Sequence, residues 1–114
     1  ASAPQSLGRY RAGADPVLAD FVMRVRAALG HHVRQLVLFG SRARGDARDG
    51  SDYDMLIVVD GWDRDIRDRV LDIEVAMLDA HGALFASVLR SERQWAEAQG
   101  FPLAMNIARE GLPL

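Results

Sequence analysis

Two carboxylates stand two positions apart at the entry of an apolar run, and this pattern constrains the chain more than any other. The run over 53–59 predicts a strand, with Asp52 and Asp54 at its beginning. Side chains alternate between the faces of a strand, so positions 52 and 54 project from the same face. Two like charges at this spacing repel each other unless a cation lies between them. The pair therefore predicts a site for Mg2+, which prefers one or two carboxylates together with substrate phosphates.

A second apolar run ends in a glycine-serine pair eleven positions before the first of these carboxylates. The run predicts a strand over 33–39, and the turn that ends it is at Gly40 and Ser41. A glycine here allows close approach of the backbone and leaves the serine hydroxyl and amide facing outward, which suits a phosphate group. Arg42 and Arg44 flank this turn, and we weigh triphosphate contact and a plain surface role equally for them.

Taken together, the two patterns resemble the nucleotidyltransferase superfamily of DNA polymerase β, which has Gly-Ser after one strand and Asp-x-Asp at the start of the next. The segments 40–45 and 51–54 are similar in particular to the minimal nucleotidyltransferases, small proteins often partnered with a HEPN-domain protein. This resemblance implies Mg-dependent transfer of AMP from ATP to a HEPN toxin, and an antitoxin role. The residues that it implies are Asp52 and Asp54 for catalysis and metal binding, and Gly40, Ser41, Arg42 and Arg44 for the nucleotide.

The remaining elements predict an α+β fold with a mixed, mainly three-stranded sheet and helices packed chiefly on one face. One helix is expected over 16–29 and another after Asp63, each with an apolar stripe at helical spacing. A third strand is expected over 83–89 and a last helix over 103–109. Ser51 is expected to cap the turn that orients Asp52.

The third predicted strand carries no acidic residue. In the superfamily this strand commonly holds a third carboxylate, which helps to bind metal and takes the proton from the attacking hydroxyl. The alternative is therefore a weakened module that binds nucleotide or partner and acts by contact alone. An aminoglycoside-type transferase is a third option, which the absence of a substrate-binding domain weakens. Glu74 is interpreted as an acidic residue on a helix surface. A role at the site is the less favoured alternative for it.

Two rival sites are less favoured. The spacing of Gly40 and Gly45 fits a P-loop, but Asp46 stands where a lysine is needed to bind phosphate. His31 and His32 could bind a metal, yet neighbouring histidines point differently and have no acidic residue close in sequence. We therefore interpret them as solvated loop residues.

Composition limits the partners and the compartment. The 114 residues are expected to form a single domain over 1–114 with a loosely ordered leader over 1–14, and the net charge of -2 argues against general nucleic-acid binding. All fourteen basic residues are arginine, and the lack of cysteine excludes thiolate chemistry and disulfides. No signal peptide or membrane-spanning run is recognised, so a cytoplasmic location is expected. The donor base, the acceptor and homo-oligomerisation are left open.

Overall fold

The computed structural model describes residues 11–45 and 52–114. In this part of the chain, helices and strands alternate as the sequence predicts for an α+β protein. The elements in order are α1 (Pro16–Leu29), β1 (Val33–Phe39), α2 (Gly40–Arg44), β2 (Tyr53–Val59), α3 (Arg64–His81), β3 (Phe85–Ser91), α4 (Glu92–Glu97), α5 (Pro102–Glu110) and β4 (Leu112–Pro113).

The sheet has the strand order β3-β2-β1-β4 and mixes both pairing modes. β1 runs antiparallel to β2, with Phe39 opposite Asp54 and Val33 opposite Val59. β3 runs parallel to β2, with Ala86 opposite Asp54, and α3 makes the crossover between them. The site-bearing end of β2 therefore lies between the end of β1 and the beginning of β3.

The two long helices cover one face of the sheet. α1 begins at Asp15, whose Oδ1 accepts hydrogen bonds from the amides of Val17 and Leu18, with proline at the first helical position. α3 begins at Asp63, whose Oδ1 accepts from the amide of Ile66. The apolar stripe predicted for α3 is buried in the main core, as are alternate residues of β2. Its members are Ile66, Val70, Ile73 and Met77, and those of β2 are Tyr53, Met55, Ile57 and Val59.

A smaller apolar cluster lies on the opposite face of the sheet. Leu56 and Val58 of β2 pack there with Val37 of β1 and with Ile107 of α5. Trp95 of α4 packs against this cluster and is partly buried. The short helices α4 and α5 therefore contribute to the second face, which is the face from which Asp54 projects.

Three details differ from the sequence-based expectations. β3 begins two residues later than predicted, because Leu84 lies before it and accepts the Tyr53 amide hydrogen bond through its carbonyl. The added strand β4 pairs with β1, and the Leu114 amide donates to the Leu36 carbonyl. Gly40 and Ser41, predicted to form a turn, are the first two residues of the short helix α2.

None of the helices in 11–45 and 52–114 is long and apolar enough to span a membrane.

Candidate functional site

The glycine-serine turn and the carboxylate pair meet at one end of the sheet. Gly40 follows the last residue of β1, has a φ of 77°, and lies directly beside the side chain of Asp54. A Cβ atom at position 40 would overlap Oδ2 of Asp54 and would lie 3.0 Å from its Cγ. Only glycine accommodates both the backbone conformation and this contact. The structure therefore brings together the two halves of the predicted motif.

The environment of Asp54 disfavours its negative charge. Asp52 is exposed immediately before β2, whereas Asp54 is half-buried within the strand. Burial raises the pKa of Asp54 above its usual value, the negative charge of Asp52 raises it further, and Arg44 partly opposes this. Oxygen ligands that repel each other at a partly buried position suit a hard divalent cation.

The two arginines predicted to contact the nucleotide have different positions. The guanidinium carbon of Arg42 lies 3.9 Å from the ring centroid of Tyr53, which projects from the face opposite to that of Asp54. Arg44 donates from Nη1 to Oε1 of Glu110 in α5, at 3.2 Å. Ser41 is partly exposed in α2 next to Gly40. The roles of these residues in nucleotide binding stay predictions.

Tyr53 stands between the two carboxylates in the sequence and anchors the beginning of β2. This role was not predicted from the sequence. The Tyr53 hydroxyl donates to Oδ2 of Asp15 at 2.7 Å, so the N-cap of α1 also anchors the beginning of β2. The Tyr53 ring stacks on Phe85 at 4.3 Å, and Phe85 stacks on Phe21 at the same distance. Burial, followed by the hydrogen bond to Asp15, raises the pKa of Tyr53 to about 12. The sequence pattern places Tyr53 only on the strand face opposite to that of Asp52 and Asp54.

β3 presents alanine at the position nearest to the carboxylate pair. Ala86 pairs with Asp54, and both residues lie on the face of the smaller cluster. The neighbouring residue Ser87 projects from the other face, and its amide donates to Oε2 of Glu74 at 2.9 Å. Glu74 therefore binds the backbone of β3 on the side of the sheet that α3 covers. The structure does not bring Glu74 to the carboxylate pair.

The two adjacent histidines have an acidic neighbour that the sequence does not indicate. Nδ1 of His32 lies 2.9 Å from Oδ1 of Asp60, which follows β2, and the rings of His31 and His32 are 4.3 Å apart. No acidic residue is close to these histidines in the sequence, but the fold brings Asp60 against His32, so the pair has an acidic neighbour in space. This group lies at the end of the sheet opposite to Asp54, because Val33 pairs with Val59 and Phe39 pairs with Asp54. It is separate from the candidate site.

Some predicted features lie outside the described residues. They are the cap at Ser51, Asp46 of the less favoured P-loop pattern, and most of the leader. The part of that leader that the structure describes includes a short 3₁₀ turn, Ala12–Ala14, and Ala12 packs against the main core.

Comparisons with known sequences agree with the geometry of the site. The model of the nucleotidyltransferase domain family matches residues 21–95, which is more than half of this chain and includes both halves of the motif. A candidate protein adenylyltransferase of Methanocaldococcus jannaschii is 29% identical over 97 residues. The aligned region covers 85% of this chain and 93% of that protein.

Two solved structures show the same fold at low sequence identity. One is a toxin-antitoxin complex with AMP-PNP, with a TM-score of 0.54 and 16% identity over 82% of this chain and 69% of the other. The second is a mutant of the toxin-antitoxin pair MntA-HpeT, with a TM-score of 0.52 and 15% identity over 81% and 68% of the two chains. At these low identities, the two comparisons show a shared fold only.

Proposed function

This chain belongs to the nucleotidyltransferase domain family, and we propose that it transfers AMP from ATP to a protein acceptor in a Mg2+-dependent reaction. The contact between Gly40 and the Asp54 carboxylate is the observation on which the proposal rests. It joins a turn suited to phosphate with an oxygen pair suited to a divalent cation. The relative from Methanocaldococcus jannaschii, by name a candidate protein adenylyltransferase, supports a protein acceptor.

The residues present fit the metal that the family uses. Asp52 and Asp54 would hold it, because burial and then the charge of Asp52 raise the pKa of Asp54, and a bound cation would favour its ionised form. Their hard oxygen atoms suit Mg2+, which binds through one or two carboxylates and substrate phosphates. The ion would neutralise negative charge on the phosphates during transfer.

The turn after β1 would bind the outer phosphates. The hydroxyl of Ser41 and the backbone amides at Gly40 and Ser41 are the proposed donors, in keeping with the close approach that Gly40 allows. Arg42, stacked on Tyr53, and Arg44, bonded to Glu110, are the proposed side-chain contacts to the triphosphate. The rate of AMP transfer would depend mainly on how the protein positions the phosphates, because the protein forms no covalent bond in the reaction.

We further propose a toxin-antitoxin role, with a HEPN-domain protein as the acceptor in the cytoplasm. Two structures of similar fold are toxin-antitoxin complexes, and one of these contains the ATP analogue AMP-PNP. In this proposal the antitoxin modifies its partner with AMP. The nucleotide and the partner are thus proposed together.

The decisive experiment is transfer of label from ATP to a candidate HEPN partner. Label on the α-phosphate is expected to appear on the partner only with Mg2+, and label on the γ-phosphate is not. Asp52→Asn and Asp54→Asn should each abolish transfer, whereas Asp72→Asn, an exposed carboxylate in α3, is the matched control. Transfer that persists in both site variants would contradict the proposal.

A second candidate function is neutralisation of the partner by contact alone. Ala86 supports it, because it pairs with Asp54 on the shared face where a third carboxylate would complete the site. If this is the function, the Asp52→Asn and Asp54→Asn variants should bind and inhibit the partner as tightly as the native chain does. A partner that escapes inhibition by these variants would instead favour AMP transfer.

A further inference from the structure

The second cluster of ligand-type side chains lies far from the carboxylate pair. His31 and His32 form the short 3₁₀ turn before β1, and Asp60 follows β2. Asp60 is six residues beyond Asp54, which corresponds to about 20 Å at the rise of a strand. This group therefore stands apart from the proposed AMP transfer.

The three side chains converge on one small volume. One ligand atom from each of His31, His32 and Asp60 can be chosen so that all three lie within 4.8 Å of one another. Nδ1 of His32 lies 2.9 Å and 3.1 Å from the two carboxylate oxygens of Asp60. In a tetrahedral site with bonds of about 2.0–2.1 Å, neighbouring ligand atoms are about 3.3 Å apart. The His32–Asp60 pair is close to that spacing, and a ligand atom of the exposed His31 lies within 4.8 Å of both.

The backbone fixes two of the three side chains in register. The amide of Asp60 donates to the carbonyl of His32 at 2.9 Å, so the two residues are joined at the backbone as well as through their side chains. Both are half-buried, whereas His31 is exposed. Two ligands held by the sheet and a third that is free to adjust form a partly preorganised site.

We infer that His31, His32 and Asp60 bind a divalent transition-metal ion of the zinc, cobalt or nickel class. Imidazole nitrogen suits these ions and is a poor ligand for Mg2+, which prefers oxygen. The ion takes the place of the proton between Nδ1 of His32 and Asp60, and His31 completes the set. Three protein ligands leave at least one coordination position open to water. The bound ion links the beginning of β1 to the end of β2.

The chain contains a matched control for this site. His81 is the third and last histidine of the sequence, and its Nε2 lies 2.7 Å from Oδ2 of Asp20. This pair has the same histidine-carboxylate chemistry but belongs to no cluster of three ligands among the described residues. His81→Gln therefore removes a histidine and its ion pair without touching the proposed site.

The test is titration of the full chain, free of any histidine tag, with Co2+ and Zn2+. We expect one equivalent of Co2+ to give visible absorption bands, and Zn2+ to displace it and raise the Tm. His31→Gln and Asp60→Asn should each lower the affinity by more than about 100-fold, because changing even an outer partner costs about 10- to 100-fold. His81→Gln and Asp54→Asn should retain full affinity.

Imidazole NMR gives a second measurement that does not depend on activity. With three histidines in the chain, each ring can be assigned from its own variant. Zn2+ should shift the signals of His31 and His32 and leave those of His81 unchanged. Unaltered Co2+ affinity in both His31→Gln and Asp60→Asn, or loss of affinity in Asp54→Asn alone, would overturn the inference.

Discussion

Gly40 and Asp54 are in such close contact that any side chain at position 40 would overlap the Asp54 carboxylate. Gly40 belongs to the first half of the motif and Asp54 to the second half, fourteen positions further along the chain. Because the two groups are in contact, the backbone at Gly40 limits where the Asp54 carboxylate can lie, and the carboxylate limits the backbone conformation at Gly40.

Gly40→Ala should abolish AMP transfer and lower the free energy of unfolding. A left-handed backbone costs a residue with a side chain about 1–2 kcal/mol, and the overlap with Asp54 adds to that cost. Gly82→Ala is the matched control, because Gly82 has a φ of 63° but open space around it. Urea unfolding should show a larger loss for Gly40→Ala. Equal losses would mean that the contact with Asp54 has no energetic weight.

Asp54→Asn should raise the Tm of the metal-free protein at neutral pH while removing its response to Mg2+ and ATP. The folded-state pKa of Asp54 is raised, mainly by burial and then by Asp52, so its ionised form opposes folding. The native chain therefore loses stability through this group as the pH rises through that folded-state pKa, and the variant should not. Melts at a series of pH values, with and without Mg2+-ATP, measure both effects. A Tm lower than that of the native chain would contradict the assigned environment.

Ala86→Asp should increase AMP transfer if proton abstraction limits the rate. Ala86 pairs with Asp54 and faces the same side of the sheet, and a positioned general base contributes about 100- to 10,000-fold. Ser87→Asp is the control, since position 87 faces the other side, where the Ser87 hydroxyl is buried. It should lower stability without a gain in rate. If the native chain is already fast and Ala86→Asp adds nothing, the base comes from elsewhere.

Tyr53→Phe should lower the free energy of unfolding by about 1–2 kcal/mol, because it removes a hydrogen bond to the Asp15 carboxylate. The Phe85 stack is retained, so Mg2+ and ATP binding should fall less than in Asp54→Asn. Ultraviolet titration offers a direct check on the environment. The phenol that ionises with a pKa of about 12 should be absent in the variant. Loss of a tyrosine of ordinary pKa would place Tyr53 in solvent instead.

Local patterns predict most of the fold of this chain. The cap at Asp15, the proline after it and the spacing of the apolar stripes suffice for α1 and α3, because these signals depend only on near neighbours in sequence. The family of the chain was also predicted, from the Gly-Ser and Asp-x-Asp patterns, and the match over residues 21–95 confirms it. The strand β4 was missed because two residues carry no periodicity, and only its pairing with β1 defines it.

The contacts that complete the site could not be read from the sequence, since they join distant residues. The hydrogen bond between Tyr53 and Asp15, and the approach of Asp60 to His32, follow from the register of the sheet and the packing of α1. Neither has a local signal. By contrast, the prediction that Asp52 and Asp54 share a face rests on strand alternation alone and uses no tertiary information.

The strand pairing described for the sheet also has a consequence for the order of folding. The paired strands β1 and β2 are separated in the sequence by residues 40–52. In contrast, β3 must be brought back to β2 across α3, and β4 pairs with β1 from the far end of the chain. Shorter loops lose less chain entropy on closure and form sooner. Gly40 and Asp54 therefore meet in the earliest of these pairings, and substitutions in this hairpin should slow refolding, whereas substitutions in β4 should mainly accelerate unfolding.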